Sequence, residues 1–204
     1  MLHLNTIDAF TNGLLLSLCA KQYLTDFALA GGTNLSLRFG HRKSVDIDLF
    51  STSLFQPLQI EELLNLDFID YTYRGSNKYM LFCNIGPVKT DIVHHPFALL
   101  APLEIVENIR MFSVQDVAAM KLFAICKRGT RKDFYDIWIL LQHFSREELI
   151  ALFIEKYEEE KVIFLEKSIL YFDDADESEQ PEVLIKNLSW ERVKRDIYKS
   201  FANF

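Results

Sequence analysis

The 204-residue chain is expected to fold as an α+β protein, with a small mixed β-sheet, flanking helices and a C-terminal helical lobe. Three observations predict this. Short apolar runs with period-2 alternation and glycine-centred turns are confined to residues 25–112. The chain changes character after Pro96 and Pro102. From Ser113 onward, apolar residues recur at helical spacing almost without a break. The expected division is therefore an α/β lobe over 1–112 and a helical lobe over 113–204.

In order along the chain, Ile7, Phe10, Leu14, Leu15 and Leu18 predict an amphipathic helix over 7–24. Phe27 to Ala30 reads as a strand ending in the turn Gly31-Gly32. Thr33 to Phe39 predicts a short helix, with Gly40 as its C-terminal cap. Val45 to Phe50 alternates as a strand with one polar face. A helix over 57–66 precedes strands at 67–74, 78–84 and 87–93. The first two strands are expected to join through Gly75-Ser76-Asn77 and the next two through Gly86-Pro87. A brief strand near 109–112 leads to the capping pattern Ser113-x-x-Asp116. Helices are expected at 114–127, 131–143, 146–157 and 160–171, then a loop at 173–187 and a last helix at 189–202.

Charge is unevenly spread. The formal net charge is −7, with 13 basic and 14 acidic groups in residues 1–144 against 9 and 15 in residues 145–204. Acidity is thus a property of the C-terminal quarter, and basic residues cluster at Arg38–Lys43 and Lys127–Lys132. An overall negative charge therefore does not exclude a polyanionic partner bound locally. Cys19, Cys83 and Cys126 are widely spaced in apolar settings, which suggests buried thiols in a reducing cytoplasm rather than a disulfide or zinc framework. No apolar run is long enough to span a bilayer and no secretory signal is visible, so no membrane partner is expected.

One constellation carries chemistry. Gly31-Gly32 permits close approach of an anion at a helix N-terminus. Asp46 and Asp48, two apart on a strand, project from one face, where like charges are costly unless a cation offsets them. Oxygen ligands of this kind favour Mg²⁺, and Asp91 on a later strand would complete a two-metal site. Lys121 and Arg128, seven apart, point to one side of their helix if it persists that far. Lys121 could hold phosphates, or cover apolar surface with its stem. Asp133 and Asp136 share a helix face, and Lys132 can pair with Asp136. On spacing alone this is an ion-paired surface stripe. His94 and His95 read as a solvated pair at a strand end. There is neither a Gly-x-Ser-x-Gly elbow nor a Walker-type loop.

The stretch Ala30-Gly31-Gly32-Thr33 through Arg42-Lys43-Ser44-Val45-Asp46-Ile47-Asp48 resembles the signature of the AbiEii/AbiGii toxin-type nucleotidyltransferases of the polymerase-beta-like superfamily. Lys127-Arg128-x-x-x-Lys132-Asp133-x-x-Asp136 with Leu140 is similar to that family's second motif. The resemblance spans roughly residues 25–142, with threonine at 33 where the superfamily usually has serine. It implies a nucleotidyltransferase-like fold whose helical lobe completes the active site, with a variable tail from about residue 145. The activity it implies is transfer of a nucleoside monophosphate from an NTP to an acceptor hydroxyl, with pyrophosphate released. Mg²⁺ is the implied ion, with Mn²⁺ as an alternative. For some members an RNA acceptor is implied, the tRNA 3′ end, along with a cognate antitoxin. By that likeness Asp46, Asp48 and Asp91 bind metal; Gly31, Gly32, Thr33, Lys121 and Arg128 bind the nucleotide; and Lys132, Asp133 and Asp136 fall on catalytic positions. A catalytically silent nucleotide-binding module and a transferase acting on a protein or small-molecule hydroxyl are the alternatives. A monomer is favoured.

Overall fold

A computed structural model describes residues 1–202; the last two positions of the expected 113–204 lobe lie outside the described residues. The strands are β1 (Ala28–Leu29), β2 (Ile47–Ser51), β3 (Tyr71–Asn77), β4 (Met80–Ile85), β5 (Val88–His94), β6 (Glu104–Val106) and β7 (Ile109–Met111). They form one mixed sheet in the order β3-β4-β5-β2-β1-β7-β6. Around it lie α1 (Ala9–Ala20), α2 (Gly31–Phe39), α3 (Pro57–Asp67), α4 (Val114–Ile125), α5 (Arg131–Leu140), α6 (Arg146–Tyr157), α7 (Val162–Ser168), α8 (Asp173–Glu177) and α9 (Trp190–Phe201).

Alternation along the central strands sorts the sheet into two faces. Ile47, Leu49, Leu81, Cys83, Ile85 and Ile92 enter one core with Leu15 and Leu18 of α1 and Ile60 and Leu64 of α3. Ala28, Ala30 and Phe112 enter a second core with apolar side chains of α4, α5, α6 and α9. Met80, Phe82 and Val93 belong to neither. The helical lobe therefore packs on one part of the sheet and leaves the β2–β5–β4 part of that face open.

Several boundaries differ from expectation for identifiable reasons. The first helix starts at Ala9 because the Asp8 carboxylate accepts the Thr11 N–H and caps it. It stops at Ala20, and a separate 3₁₀ turn follows at Gln22–Leu24. Phe10, expected in the core stripe, is 47% exposed. The β3–β4 turn is at Lys78-Tyr79, where Asn77 Oδ1 accepts the Tyr79 N–H at 2.8 Å. Gly75 instead sits in a bulge within β3, with φ +148°. Strand β3 begins at Tyr71 because α3 runs on to Asp67. Strand β6 was not expected, and the 173–187 loop contains α8.

One set of backbone bonds ties the early strands to the late helices, and one buried ion pair braces those helices internally. Residues 182–184 lie along residues 41–43: Lys43 N–H donates to Glu182 O at 2.8 Å and Leu184 N–H to His41 O at 2.9 Å. An antiparallel bridge joins Arg42 and Val183. Between α4 and α6, Lys156 Nζ lies 2.6 Å from Asp116 Oδ1, with both side chains fully buried. Burial would raise the Asp116 carboxyl, but Lys156 and Ser113 bring it below its ordinary value. Truncation by Lys156→Ala is expected to cost about 3–5 kcal/mol in urea unfolding, because it strands a buried charge. The exposed control Lys199→Ala should cost almost nothing.

Candidate active site

Strands β2 and β5 run parallel in a register that sets Asp48 beside Asp91. Alternation then brings both carboxylates out on the open face. Burial, and next the Asp91 charge, push the Asp48 carboxyl up to about 6. Asp91 leans on cations from the same face, Lys89 Nζ at 3.0 Å and Arg74 Nη1 at 3.6 Å. Its buried Oδ1 still has no hydrogen-bond partner. Asp46 lies just before β2, 3.6 Å from Lys132 Nζ.

Both glycines of the expected anion turn open α2, and each is required by a charged neighbour. Gly31 has φ +66°, and a Cβ there would stand 2.5 Å from Asp48 Oδ2. A Cβ on Gly32 would collide with the Arg42 guanidinium. No side chain caps the α2 N-terminus, whose N-cap residue is Ala30. The buried Thr33 hydroxyl bonds to Ser44 Oγ at 2.7 Å and donates to the Asp46 carbonyl, so it holds the loop that carries Asp46.

The second motif differs more from the sequence reading. Asp133 and Asp136 are fully buried rather than forming a surface stripe. Asp136 accepts from Arg42 Nε at 2.7 Å and Nη2 at 2.8 Å, and sits 2.7 Å from His41 Nε2 and 2.6 Å from Lys121 Nζ. Asp133 accepts from Lys121 Nζ at 2.9 Å. It also accepts from the Thr130 hydroxyl and closes the capping box of α5. Burial would raise Asp136, yet Arg42 and Lys121 hold it well below the carboxylate range. Burial likewise drives His41 down, so it stays neutral. Two cations and two carboxylates thus form a neutral buried cluster. Asp133 and Asp136 contact Lys121, and Asp136 also Arg42, while neither lines the neighbouring cleft. Lys132 does not pair with Asp136; it reaches the other way, to Asp46. Helix α4 ends at Ile125, so Arg128 comes from the turn beyond it, 3.7 Å from Asp133.

These groups surround a cleft of about 270 Å³ lined by Gly32, Asp46, Asp48, Asp91, Lys121, Arg128 and Lys132. Arg42, Lys89 and Phe82 also line it and were not singled out as site residues. Their signal was phase: Arg42 and Ser44 share parity with Asp46 and Asp48, and Lys89 shares it with Asp91. The expected basic cluster at 38–43 is largely neutralised internally. Arg38 bonds Asn34, Glu104 and the Phe112 carbonyl, while His41 and Arg42 are buried. His95 is not solvated either; burial among aromatic rings takes it down to about 4.

Among the described residues no three His, Cys, Asp or Glu side chains are gathered as a group able to hold a metal ion. Asp46 and Asp91 are turned onto Lys132 and Lys89 instead of converging with Asp48. The donor set nevertheless fits a hard divalent cation: two adjacent carboxylates repel across β2 and β5, and a buried Asp91 oxygen lacks a donor.

Solved structures share this architecture. JHP933 from Helicobacter pylori superposes with a TM-score of 0.58 at 15% identity, covering 96% of this chain and 92% of that one. MenT4, a nucleotidyltransferase toxin from Mycobacterium tuberculosis H37Rv, gives 0.52 at 16% identity, with 93% and 80% covered. This chain therefore shares the fold of a nucleotidyltransferase toxin. An uncharacterised protein of Aquifex aeolicus (strain VF5), aq_aa25, is 32% identical over 176 residues, 83% of each chain. The chain belongs to the nucleotidyl transferase AbiEii toxin family of type IV toxin–antitoxin systems, whose sequence profile matches residues 13–75 and 82–202. No described helix is long and apolar enough to cross a membrane.

Proposed function

We propose that this chain is a Mg²⁺-dependent toxin that moves a nucleoside monophosphate from an NTP to a hydroxyl of RNA, at the tRNA 3′ end, and releases pyrophosphate. The observation that carries this reading is the pair Asp48 and Asp91, side by side at the foot of an uncapped helix and facing Lys121, Lys132 and Arg128. Asp46, Asp48 and Asp91 would hold the metal. Bound Mg²⁺ would supply Lewis-acid stabilisation of the α-phosphate and of the leaving pyrophosphate.

The chain's own groups do the rest. Lys132, Arg128 and the first-turn N–H groups of α2 hold the β- and γ-phosphates, with Lys121 fixed behind them. Asp91 orients the acceptor hydroxyl and takes its proton. The acceptor oxygen bonds to the α-phosphorus as the bond to the bridging oxygen breaks, and that electron pair leaves with pyrophosphate. Residues 1–112 form an α/β lobe, and the helical lobe of residues 113–204 completes the active site. The family's type IV systems support a cognate antitoxin as partner, and the three free thiols support a reducing compartment.

The test is incubation with each labelled NTP, Mg²⁺ and total tRNA. Label should enter RNA, chelation should stop it, and Asp46→Ala should abolish it. Labelling that persists in Asp46→Ala would sink the metal assignment.

A further inference from the structure

We infer that the open face of β4 and β5 beyond Asp91 is the acceptor platform, where an unpaired terminal nucleotide of a single-stranded nucleic acid stacks on Phe82. This rests on the transfer reaction proposed above and assigns a place to its second substrate.

The argument begins with apolar side chains that the fold leaves unused. Phe82 and Met80 alternate with the buried Leu81 and Cys83, so they emerge on the same face as Asp91. Register sets Phe82 directly opposite Asp91, and Met80 opposite Val93. Neither Phe82 nor Met80 joins a hydrophobic core, and both line the cleft half-buried. An aromatic ring beside a carboxylate in a polar cleft is costly to leave wet unless a ligand covers it.

In-line displacement then decides which substrate this is. The attacking and leaving oxygens stand on opposite sides of the phosphorus. The groups suited to the β- and γ-phosphates lie on the α2 side of β2, because α2 follows β1, the neighbour of β2. Strands β5 and β4 lie on its other side. An acceptor hydroxyl must therefore arrive over β5 and β4, across Phe82.

Charge selects the class of acceptor. Lys89 and Arg74 flank the platform and meet Asp91 from it. Two cations beside an aromatic ring complement a phosphodiester and a base, the pairing that single-strand sites use. They repel a polycationic acceptor such as an aminoglycoside. A metal held by Asp91 would free Lys89 and Arg74 to face the acceptor backbone.

The experiment measures fluorescence anisotropy of a labelled single-stranded RNA of about 12 nucleotides, alongside binding of labelled NTP with Mg²⁺ to the same protein. Phe82→Ala should weaken RNA binding roughly tenfold, and Phe82→Trp should restore it. Arg74→Ala should weaken RNA binding and flatten its salt dependence by about one unit of slope. NTP affinity should stay close to wild type in both Phe82 variants, and the melting temperature in all three. Unchanged RNA affinity in Phe82→Ala overturns the platform. So does an equal loss of NTP affinity, which would make the shelf the site of the donor base. Labelling of an aminoglycoside in place of RNA overturns the acceptor class. If RNA binding follows the expected pattern but no acceptor is ever labelled, the transfer reaction fails while the platform stands.

Discussion

Asp48→Asn is expected to abolish nucleotidyl transfer and at the same time to raise the melting temperature of the metal-free protein. Both effects arise from the same carboxylate. Its burial and its neighbour Asp91 hold it at about 6, against an ordinary 3.8. At neutral pH the folded state therefore keeps a charge that the unfolded chain carries more easily. That difference destabilises the fold by on the order of 2–3 kcal/mol. The amide removes the charge at nearly constant shape, so the variant should melt roughly 5–10 °C higher at pH 7.5. The sign with pH follows. Above pH 6 the advantage is full, and as pH falls toward 3.8 the wild-type carboxyl takes up its proton and the advantage fades. Mg²⁺ should raise the melting temperature of the wild type and leave Asp48→Asn unmoved, because only a state that binds the ion gains by mass action. Transfer should fall at least about 10³-fold, on the scale of losing a charge-stabilising group in a closed site. A variant that melts lower than wild type without metal would refute the repulsion argument.

Asp136→Asn should have the opposite effect on stability, and a larger one. Asp136 is the shared acceptor of Arg42, His41 and Lys121, and it has no exposed surface. Neutralising it leaves two buried cations against Asp133 alone. Breaking a buried pair of this kind costs about 3–5 kcal/mol, a large share of the ~5–15 kcal/mol that holds a domain together. Activity should fall with it, because Lys121 and Arg42 lose their anchor beside Gly32 and the cleft. Urea unfolding separates the two effects, since activity measured well below the unfolding midpoint reports positioning alone. In the wild type this cluster also sets an acid limit. Asp136 is held below 3.8, so its stabilisation is present above that value and is lost as pH falls through the lowered one. His41 is held below 6.5, so the unfolded state takes up its proton first and stability declines once pH drops under 6.5. The two groups act in the same direction. A stability profile flat from pH 7 to 4 would contradict the His41 argument, and one flat below 3.8 would contradict the Asp136 argument.

What could be read from the sequence divides along a physical line. Period-2 alternation located β2, β4 and β5, and Gly40, at φ +66°, closes α2 as expected. Asp48 was legible as a residue on a polar face. That Asp91 joins it was expected, but the parallel register that sets the two side by side was not legible, because a pairing between strands about 40 residues apart leaves no local trace. Gly75 was misread because glycine serves bulges as well as turns, and only the partner strand distinguishes them. Asp133 and Asp136 looked like a solvated stripe since charge ordinarily marks the surface. Their burial depends on Arg42, about ninety positions earlier, which the helix pattern cannot report. We propose that Asp133 and Asp136 support Lys121 rather than act on substrate directly.

The short run of backbone bonds between residues 182–184 and 41–43 has a consequence in time as well as space. The loop that presents Asp46 is pinned on one side by Thr33 and steadied on the other by a segment that follows it by about 140 residues. During synthesis, at about 5–20 residues per second, the carboxylates are made early and their brace last. A nascent chain therefore carries its reactive residues for several seconds before it can fix them in place. For a toxin, this order delays competence until residues 182–184 have been made.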